Sequence, residues 1–199
     1  MPPLELLQVG EPRALFIPDF ELRDWVTTQF LDEEGALYNA AHNHLIAADI
    51  GFLWTNVANY KAGQRIAGEA ALFRIQGNKW VKGRAEMQLV SWFGQVPDFL
   101  ITLDARIAAT NPSATFCARV DHELYHCAQR EIEGEPIFDL DDKPVWELRG
   151  HDVEEFVGVA ERWGAGSCAG MTAQLVRVAG RRPLIAEASI VAACGNCLR

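Results

Sequence analysis

The sequence predicts a single domain of the α+β class, in which a roughly four-stranded, mostly antiparallel sheet packs against helices. Between Ile50 and Ile107, apolar residues alternate with other residues, a period typical of half-buried strands. On either side of this region, apolar residues recur at the spacing of amphipathic helices. The chain has 199 residues, of which 49% are hydrophobic, and this length suits one domain with a substantial core.

The elements before the sheet are expected to be helical. Residues 1–18 contain four prolines and are predicted to form an irregular lead-in. A short helix is expected over residues 19–31, where apolar side chains follow a possible acidic cap. A second helix is expected over residues 36–49, which are rich in Ala and Leu.

Four strands and the later elements are predicted from their periodicity and turn residues. The strands are expected near 52–57, 66–75, 87–93 and 99–107, and the last has the clearest alternation. After a helix near 112–131, the sequence predicts a loop or hairpin over 134–143 and a further helix over 150–163. Residues 166–199 form a C-terminal segment of uncertain structure, with one more helix or strand expected near 184–193.

The helix near 112–131 is predicted to be central. Asn111 is a favourable N-cap, and Pro112 suits the first helical position because it needs no hydrogen-bond acceptor there. A buried stripe is expected at four positions: Cys117, Val120, Leu124 and Cys127. The two histidines of this helix lie nearly opposite the stripe, which predicts a polar face lining a cleft.

Residues 122–126 of this helix read HELYH, which is a candidate metal-binding motif. Side chains four residues apart lie one turn apart on the same helix face, so His122 and His126 can bind one Zn²⁺. Glu123 would then lie beside the ion, where its carboxylate can take a proton from a water molecule. Because the pattern is short, a surface helix with two solvated histidines is the alternative interpretation.

A third metal ligand is expected after the motif, because catalytic Zn²⁺ usually has three protein ligands and one open position. His151, at the start of the helix predicted for 150–163, is the expected ligand. Asp152, Glu154 and Glu155 are alternatives, since some zinc peptidases use a carboxylate from a second helix, and the absence of a third ligand stays open.

Three blocks of the sequence resemble the putative phage metallopeptidase family. They read AHNHLIAADIGFL, then HELYH, then GHDVEEF followed by ERWG, and together they span about residues 35–165. The resemblance implies a zincin-like fold, a phage or prophage origin and a zinc-dependent peptidase acting on a peptide or protein substrate. It also implies His122 and His126 as zinc ligands, Glu123 as catalytic base and His151 as the probable third ligand. In such folds the substrate lies as an extra strand along a sheet edge, for which residues 99–107 or a neighbouring strand could serve.

The composition weighs against several other classes. A formal net charge of −9 argues against non-specific binding to nucleic acid or to anionic membranes. The N-terminus lacks a signal-peptide pattern and the five cysteines are an odd number, so a cytoplasmic protein with reduced thiols is expected. The oligomeric state is not predicted.

Two further short patterns, one of histidines and one of cysteines, are weaker signals of function. His42-Asn43-His44 spells the name of a nuclease motif but lies in a predicted helix, which favours ordinary helix histidines or a supporting role near the zinc. Cys194 and Cys197 form a lone CxxC pair, for which free thiols are expected. The alternative function is a non-catalytic, zinc-stabilised binding protein.

Overall fold

A computed structural model describes residues 1–8, 13–61, 63–73, 77–153, 171–186, 188 and 193–196. The chain divides into two units, of which the first comprises residues 1–149 and 188–199 and the second residues 150–187. Residues 154–163 of the helix predicted for 150–163 lie outside the described residues. In the second unit, the described residues form one helix, Thr172–Ala179.

The described residues of the first unit form four α-helices: α1 (Phe20–Val26), α2 (Lys79–Phe93), α3 (Ala105–Thr110) and α4 (Ser113–His126). The 3-10 segments are Leu4–Leu7 and Ala40–Ala47, and a π-helical turn, Thr27–Leu31, extends α1. The helix expected over 36–49 is therefore a shorter 3-10 helix. It begins where the Asn39 side chain accepts a hydrogen bond from the Ala41 amide.

The main sheet is mixed and has six strands: β1 (Phe16–Pro18), β2 (Ile50–Thr55), β3 (Tyr60–Lys61), β4 (Gln64–Leu72), β5 (Phe99–Asp104) and β10 (Ala193–Cys194). Their order is β1-β2-β5-β4-β10, with β3 added to β4. β2–β5 and β4–β10 are parallel, whereas the other three pairs are antiparallel. Two smaller sheets join β6 (Cys127–Gln129) to β9 (Trp146–Leu148) and β7 (Glu131–Ile132) to β8 (Glu135–Pro136).

The core lies where the central strands meet α4. All six residues of β2 are buried, which is usual for a strand with neighbours on both sides and cover on both faces. Trp54 is fully buried, stacks on Phe116 with ring centroids 6.0 Å apart, and donates its indole N–H to Asp19. Val120 and Leu124 of α4 are also fully buried, as the helical spacing predicts. This packing fixes α4 against the sheet.

The strand predicted at 87–93 is wrong, because these residues belong to α2. The Asn78 side chain accepts hydrogen bonds from the Trp80 and Val81 amides, and Gly94 ends the helix in a left-handed conformation with φ 80°. Both ends of α2 are therefore capped, although Leu89 is its one buried residue.

Two predicted boundaries also differ from the structure. β5 ends at Asp104, whose carboxylate accepts hydrogen bonds from the Arg106 and Ile107 amides, so residues 105–107 begin a helix instead of extending the strand. α4 starts after Pro112 and ends at His126, because Asn111 terminates the preceding helix and the chain enters β6 at Cys127. The loop or hairpin expected over 134–143 overlaps the observed β7–β8 hairpin only in part, because that hairpin begins at Glu131 and turns through Glu133 and Gly134. Beyond β8, an isolated bridge joins Phe138 to Pro144.

The described helices include none that is both long enough and apolar enough to cross a lipid bilayer.

Candidate metal centre

The last turn of α4 places the two motif histidines side by side. The Nε2 atoms of His122 and His126 are 3.3 Å apart, and the two rings meet edge to face with centroids 5.0 Å apart. His126 is 2% exposed, whereas His122 is only partly buried. The pair therefore presents two ring nitrogens to one point, as spacing of four residues on a helix allows.

The orientation of His126 is fixed by the backbone of Arg149, the residue directly after β9. His126 Nδ1 lies 2.7 Å from the Arg149 carbonyl oxygen, an acceptor that requires a proton on Nδ1. The Arg149 amide in turn donates to the His126 carbonyl over 2.9 Å. In the neutral imidazole, Nε2 then carries the lone pair that can bind a metal. A hydrogen bond from the other ring nitrogen, as Nδ1 makes here, is the usual way in which a metal-binding histidine is held.

Cys194 supplies a third candidate ligand, which the sequence analysis missed. Its Sγ is 3.3 Å from His126 Nε2, and the ligand atoms of His122, His126 and Cys194 all lie within 4.8 Å of one another. The thiol is 1% exposed, and its sulfur accepts a hydrogen bond from the Asn196 amide over 3.2 Å. The one sequence signal was the CGNC pattern, which does not indicate the partner of either cysteine.

These three side chains fit a zinc ion in chemistry, and the two separations that involve His126 fit it in spacing. Imidazole nitrogen and thiolate sulfur are the donors that Zn²⁺ takes most often. In a tetrahedral site, two nitrogens bound to zinc lie ~3.3 Å apart and a nitrogen and a sulfur ~3.5 Å apart. The observed separations of 3.3 Å for His122–His126 and 3.3 Å for His126–Cys194 are close to both values.

Glu123 lies in the same turn, buried against β4. It is 0% exposed, and among the described residues neither carboxylate oxygen has a hydrogen bond of good geometry. Burial raises the pKa of Glu123 to about 7, whereas the charge of Arg119 and the nearby Cys194 thiol and Ala70 amide act to lower it. A carboxylate buried this deeply, with no well-formed hydrogen bond among the described residues, calls for a functional explanation.

Gly68 of β4 makes room for Glu123. A Cβ at this position would meet Glu123 Oε1 at 2.8 Å and Leu103 Cδ2 at 3.1 Å, both closer than ordinary contact. Only a glycine lets the carboxylate lie flat on the strand.

Gly68→Ala is therefore expected to displace the Glu123 carboxylate while leaving the histidine pair in place. A displacement of about 1 Å can cost ~100-fold in rate, so a reaction that uses this carboxylate should slow by that order with zinc content unchanged. Gly83→Ala is the matched control, because a Cβ at Gly83 of α2 meets nothing within 4 Å. Reaction rates and metal analysis measure the difference, and an equal effect of both substitutions would contradict this role for Gly68.

The metal-free protein is expected to lose stability as pH rises through the titration of Glu123. Since the folded pKa of about 7 exceeds the ordinary value of 4.5, the folded state binds more protons between these values and its stability falls with rising pH. The loss should approach ~3 kcal/mol above the folded pKa. Urea unfolding of metal-free wild type and Glu123→Gln at acidic and alkaline pH measures it; parallel pH curves for the two proteins would show that Glu123 does not titrate in this way.

A second group of side chains supports the far side of α4. His42 Nε2 lies 2.7 Å from Asp121 Oδ1, and its buried ring packs against Tyr125 with centroids 4.6 Å apart. His44 Nε2 donates to the Cys127 carbonyl over 2.9 Å, just beyond the helix end. Both histidines of the HNH pattern thus contact α4 or the residue directly after it, and a supporting role near the zinc stays a prediction.

The structure brings His122, Glu123 and His126 together in the first unit, and it adds Cys194. His151, the expected third ligand, belongs to the second unit and is exposed, as is Asp152. Glu154 and Glu155 lie outside the described residues. The third ligand at His151 stays a prediction.

The expected substrate edge on β5 is wrong, because β2 and β4 pair with both sides of this strand. The neighbouring strand β4 is covered on its other side by β3 and β10.

Comparison with protein families gives one match. The family model described as "Putative phage metallopeptidase" matches residues 23–179, which include the whole of α4. No curated protein matched the chain, and no solved structure did.

Proposed function

Because the chain belongs to the putative phage metallopeptidase family, we propose that it is a zinc-dependent peptidase whose metal is held by His122 and His126. The observation that carries this proposal is the 3.3 Å separation of the two Nε2 atoms beside the Glu123 carboxylate, which is fully buried and has no hydrogen bond of good geometry among the described residues. The zincin-like fold and a cytoplasmic location are expected as part of the same proposal.

When bound, Zn²⁺ would supply a Lewis acid that polarises the substrate carbonyl and lowers the pKa of a water molecule toward ~7. Glu123 acts on that water as general base: its carboxylate takes one proton as the water oxygen forms a bond to the peptide carbon. The protonated Glu123 then gives the proton to the leaving nitrogen as the C–N bond breaks. Through its bond to the Arg149 carbonyl, His126 keeps Nε2 directed at the metal position.

The raised pKa of Glu123 suits this exchange of a proton near neutral pH. A base with a pKa close to the working pH can both accept and return a proton efficiently. In the metal-free protein burial raises that pKa to about 7, and the positive charge of the ion would lower it from there.

The third ligand of the catalytic form is proposed to be His151, as the sequence predicts, with Cys194 as the ligand of a closed form. A His₂Cys set closes three of the four zinc positions, and a His₃ set would do so equally. Both leave one position for water, but in the form with Cys194 the segment that carries this residue lies along β4 and Glu123 is fully buried, which closes the site to substrate.

Metal removal tests the proposal. The zinc-loaded protein is expected to cleave members of a mixed peptide library, and chelation should abolish cleavage because neither proton transfer nor carbonyl polarisation proceeds without the ion. Mass spectrometry of the library identifies the products, and added Zn²⁺ should restore them. Cleavage that survives complete loss of metal, or no cleavage by any zinc-loaded form of the protein, would contradict the proposal.

A non-catalytic, zinc-stabilised binding protein is the second candidate, and the burial of Cys194 and Glu123 favours it. Structural zinc sites are closed by four protein ligands and contribute directly to folding. In that case zinc would raise the melting temperature strongly, while Glu123→Gln would change neither zinc content nor any cleavage.

A further inference from the structure

Residues 193–196, here called the edge segment, lie along the outer side of β4. Ala193 and Cys194 pair with Ile66 and Gly68 in parallel, and the Gly195 amide donates to the Gly68 carbonyl over 2.8 Å. The Lys61 ammonium group donates to the Gly195 carbonyl over 2.6 Å.

The Asn196 side chain continues this pairing in place of a backbone. Its Oδ1 accepts a hydrogen bond from the Ala70 amide over 3.0 Å, and its Nδ2 donates to the Ala70 carbonyl over 2.8 Å. One carboxamide thus satisfies both polar groups of a strand residue, as a peptide unit of an added strand does. The outer side of β4 from Ile66 to Ala70 is thereby occupied.

The occupied edge adjoins the candidate metal centre. Cys194 pairs with Gly68, the residue that lies against Glu123, and the Cys194 sulfur lies 3.3 Å from His126 Nε2. With the edge segment docked, Glu123 is fully buried, although it must meet a water molecule and a substrate to act as a base.

We propose that the edge segment is an internal inhibitor: it occupies the peptide-binding edge of β4 and closes the metal centre with the Cys194 thiolate, and its release opens the site. This inference rests on the proposed function for its effect on cleavage. In the closed form the metal is held by His122, His126 and Cys194. On release, Cys194 leaves and the two histidines retain the metal.

The attachment of the edge segment is suited to release. Its strand has two paired residues, and the register shifts between them. Its other contacts to β4 are few polar bonds, each of modest net strength because water can replace the partner. The segment nevertheless lies close to β4, because at Gly195 there is no space for a side chain beside Glu69.

Gly195→Ala tests the proposal without removing the thiol. A Cβ at Gly195 would meet Glu69 Cβ at 2.7 Å and Glu69 Cγ at 2.6 Å; because the Cβ cannot rotate away, the edge segment should undock. With Co²⁺ as probe, the wild type should show a thiolate-to-metal absorption band, which this variant should lose while keeping one metal per chain. Alkylation of Cys194 by iodoacetamide, mapped by mass spectrometry, should be at least ~10-fold faster, and cleavage of the peptide library should rise by a similar factor.

Cys194→Ala removes the ligand itself, and Gly83→Ala is the control that leaves the segment untouched. Cys194→Ala should lose the absorption band, keep the metal and cleave faster than the wild type. Loss of metal from Cys194→Ala would overturn the proposal, because Cys194 would then be a permanent ligand. A wild type without the band would overturn it as well, and so would a Gly195→Ala protein that keeps both the band and a protected thiol. Where Gly195→Ala fails to fold, Asn196→Ala, which removes both bonds to Ala70, replaces it in every comparison.

These readouts separate the two proposals. Should no form of the protein cleave any peptide, the peptidase function is refuted, and the inhibitory role with it; the band and the thiol reactivity then still decide whether the segment closes the metal centre. Should the wild type cleave but Cys194→Ala lose metal and activity together, the peptidase stands and the internal inhibitor is refuted.

Discussion

Glu123→Gln is expected to lower the rate of peptide cleavage by about a thousandfold while the protein keeps its zinc. The substitution preserves the size of the side chain, so the close approach of Gly68 is retained and the histidine pair is undisturbed. What is lost is the ability to take a proton, because an amide cannot act as a general base. The measurement pairs metal analysis with cleavage rates of the wild type and the variant.

The matched control is Glu131→Gln in the exposed hairpin strand β7, which makes the same chemical change away from the metal centre. It should leave both zinc content and cleavage unchanged. Retained cleavage in Glu123→Gln would remove Glu123 from the mechanism. Loss of zinc together with activity would instead assign it a structural part in the site.

His126→Ala is expected to lower zinc affinity by more than ~100-fold, beyond the loss usual for a group that only supports a ligand. It removes the central member of the cluster, whose Nε2 lies 3.3 Å from both the His122 nitrogen and the Cys194 sulfur. Competition with a zinc-binding dye gives the affinity, and circular dichroism establishes that the variant is folded.

His44→Ala provides the comparison, since this histidine is also near the end of α4 but donates to a backbone carbonyl. It should cost about 1 kcal/mol of stability, the usual contribution of one hydrogen bond, and leave zinc binding intact. Equal zinc loss in both variants would mean that the histidines act through the helix and not as ligands.

Sequence reasoning found the parts of the fold that are determined by residues close together in the chain. The apolar positions of α4, the alternation of β5 up to Asp104 and the turn at Gly134 are each a local pattern with one physical cause. The spacing of His122 and His126 is local in the same sense, which is why their proximity could be predicted.

The errors arose where distant or weak local effects decide the structure. Residues 87–93 have apolar and aromatic side chains suited to a strand, but caps at Asn78 and Gly94, at opposite ends of a 15-residue segment, make them helical. Cys194 lies at the candidate metal centre because the two-residue strand β10 pairs in parallel with β4, which lies far earlier in the sequence. No spacing rule links such positions, so Cys194 was not found from the sequence, whereas the third ligand at His151 stays a prediction.

The separation of 68 residues between His126 and Cys194 has a kinetic consequence. The two imidazoles are neighbours as soon as one helical turn forms, a process of about a microsecond, whereas closing so long a loop costs more entropy and follows later. We therefore expect an interval during folding in which the paired rings face solvent and the sulfur has not arrived. We expect the ion to be captured in that interval, so that the mature site would exchange its metal more slowly than it first acquired it.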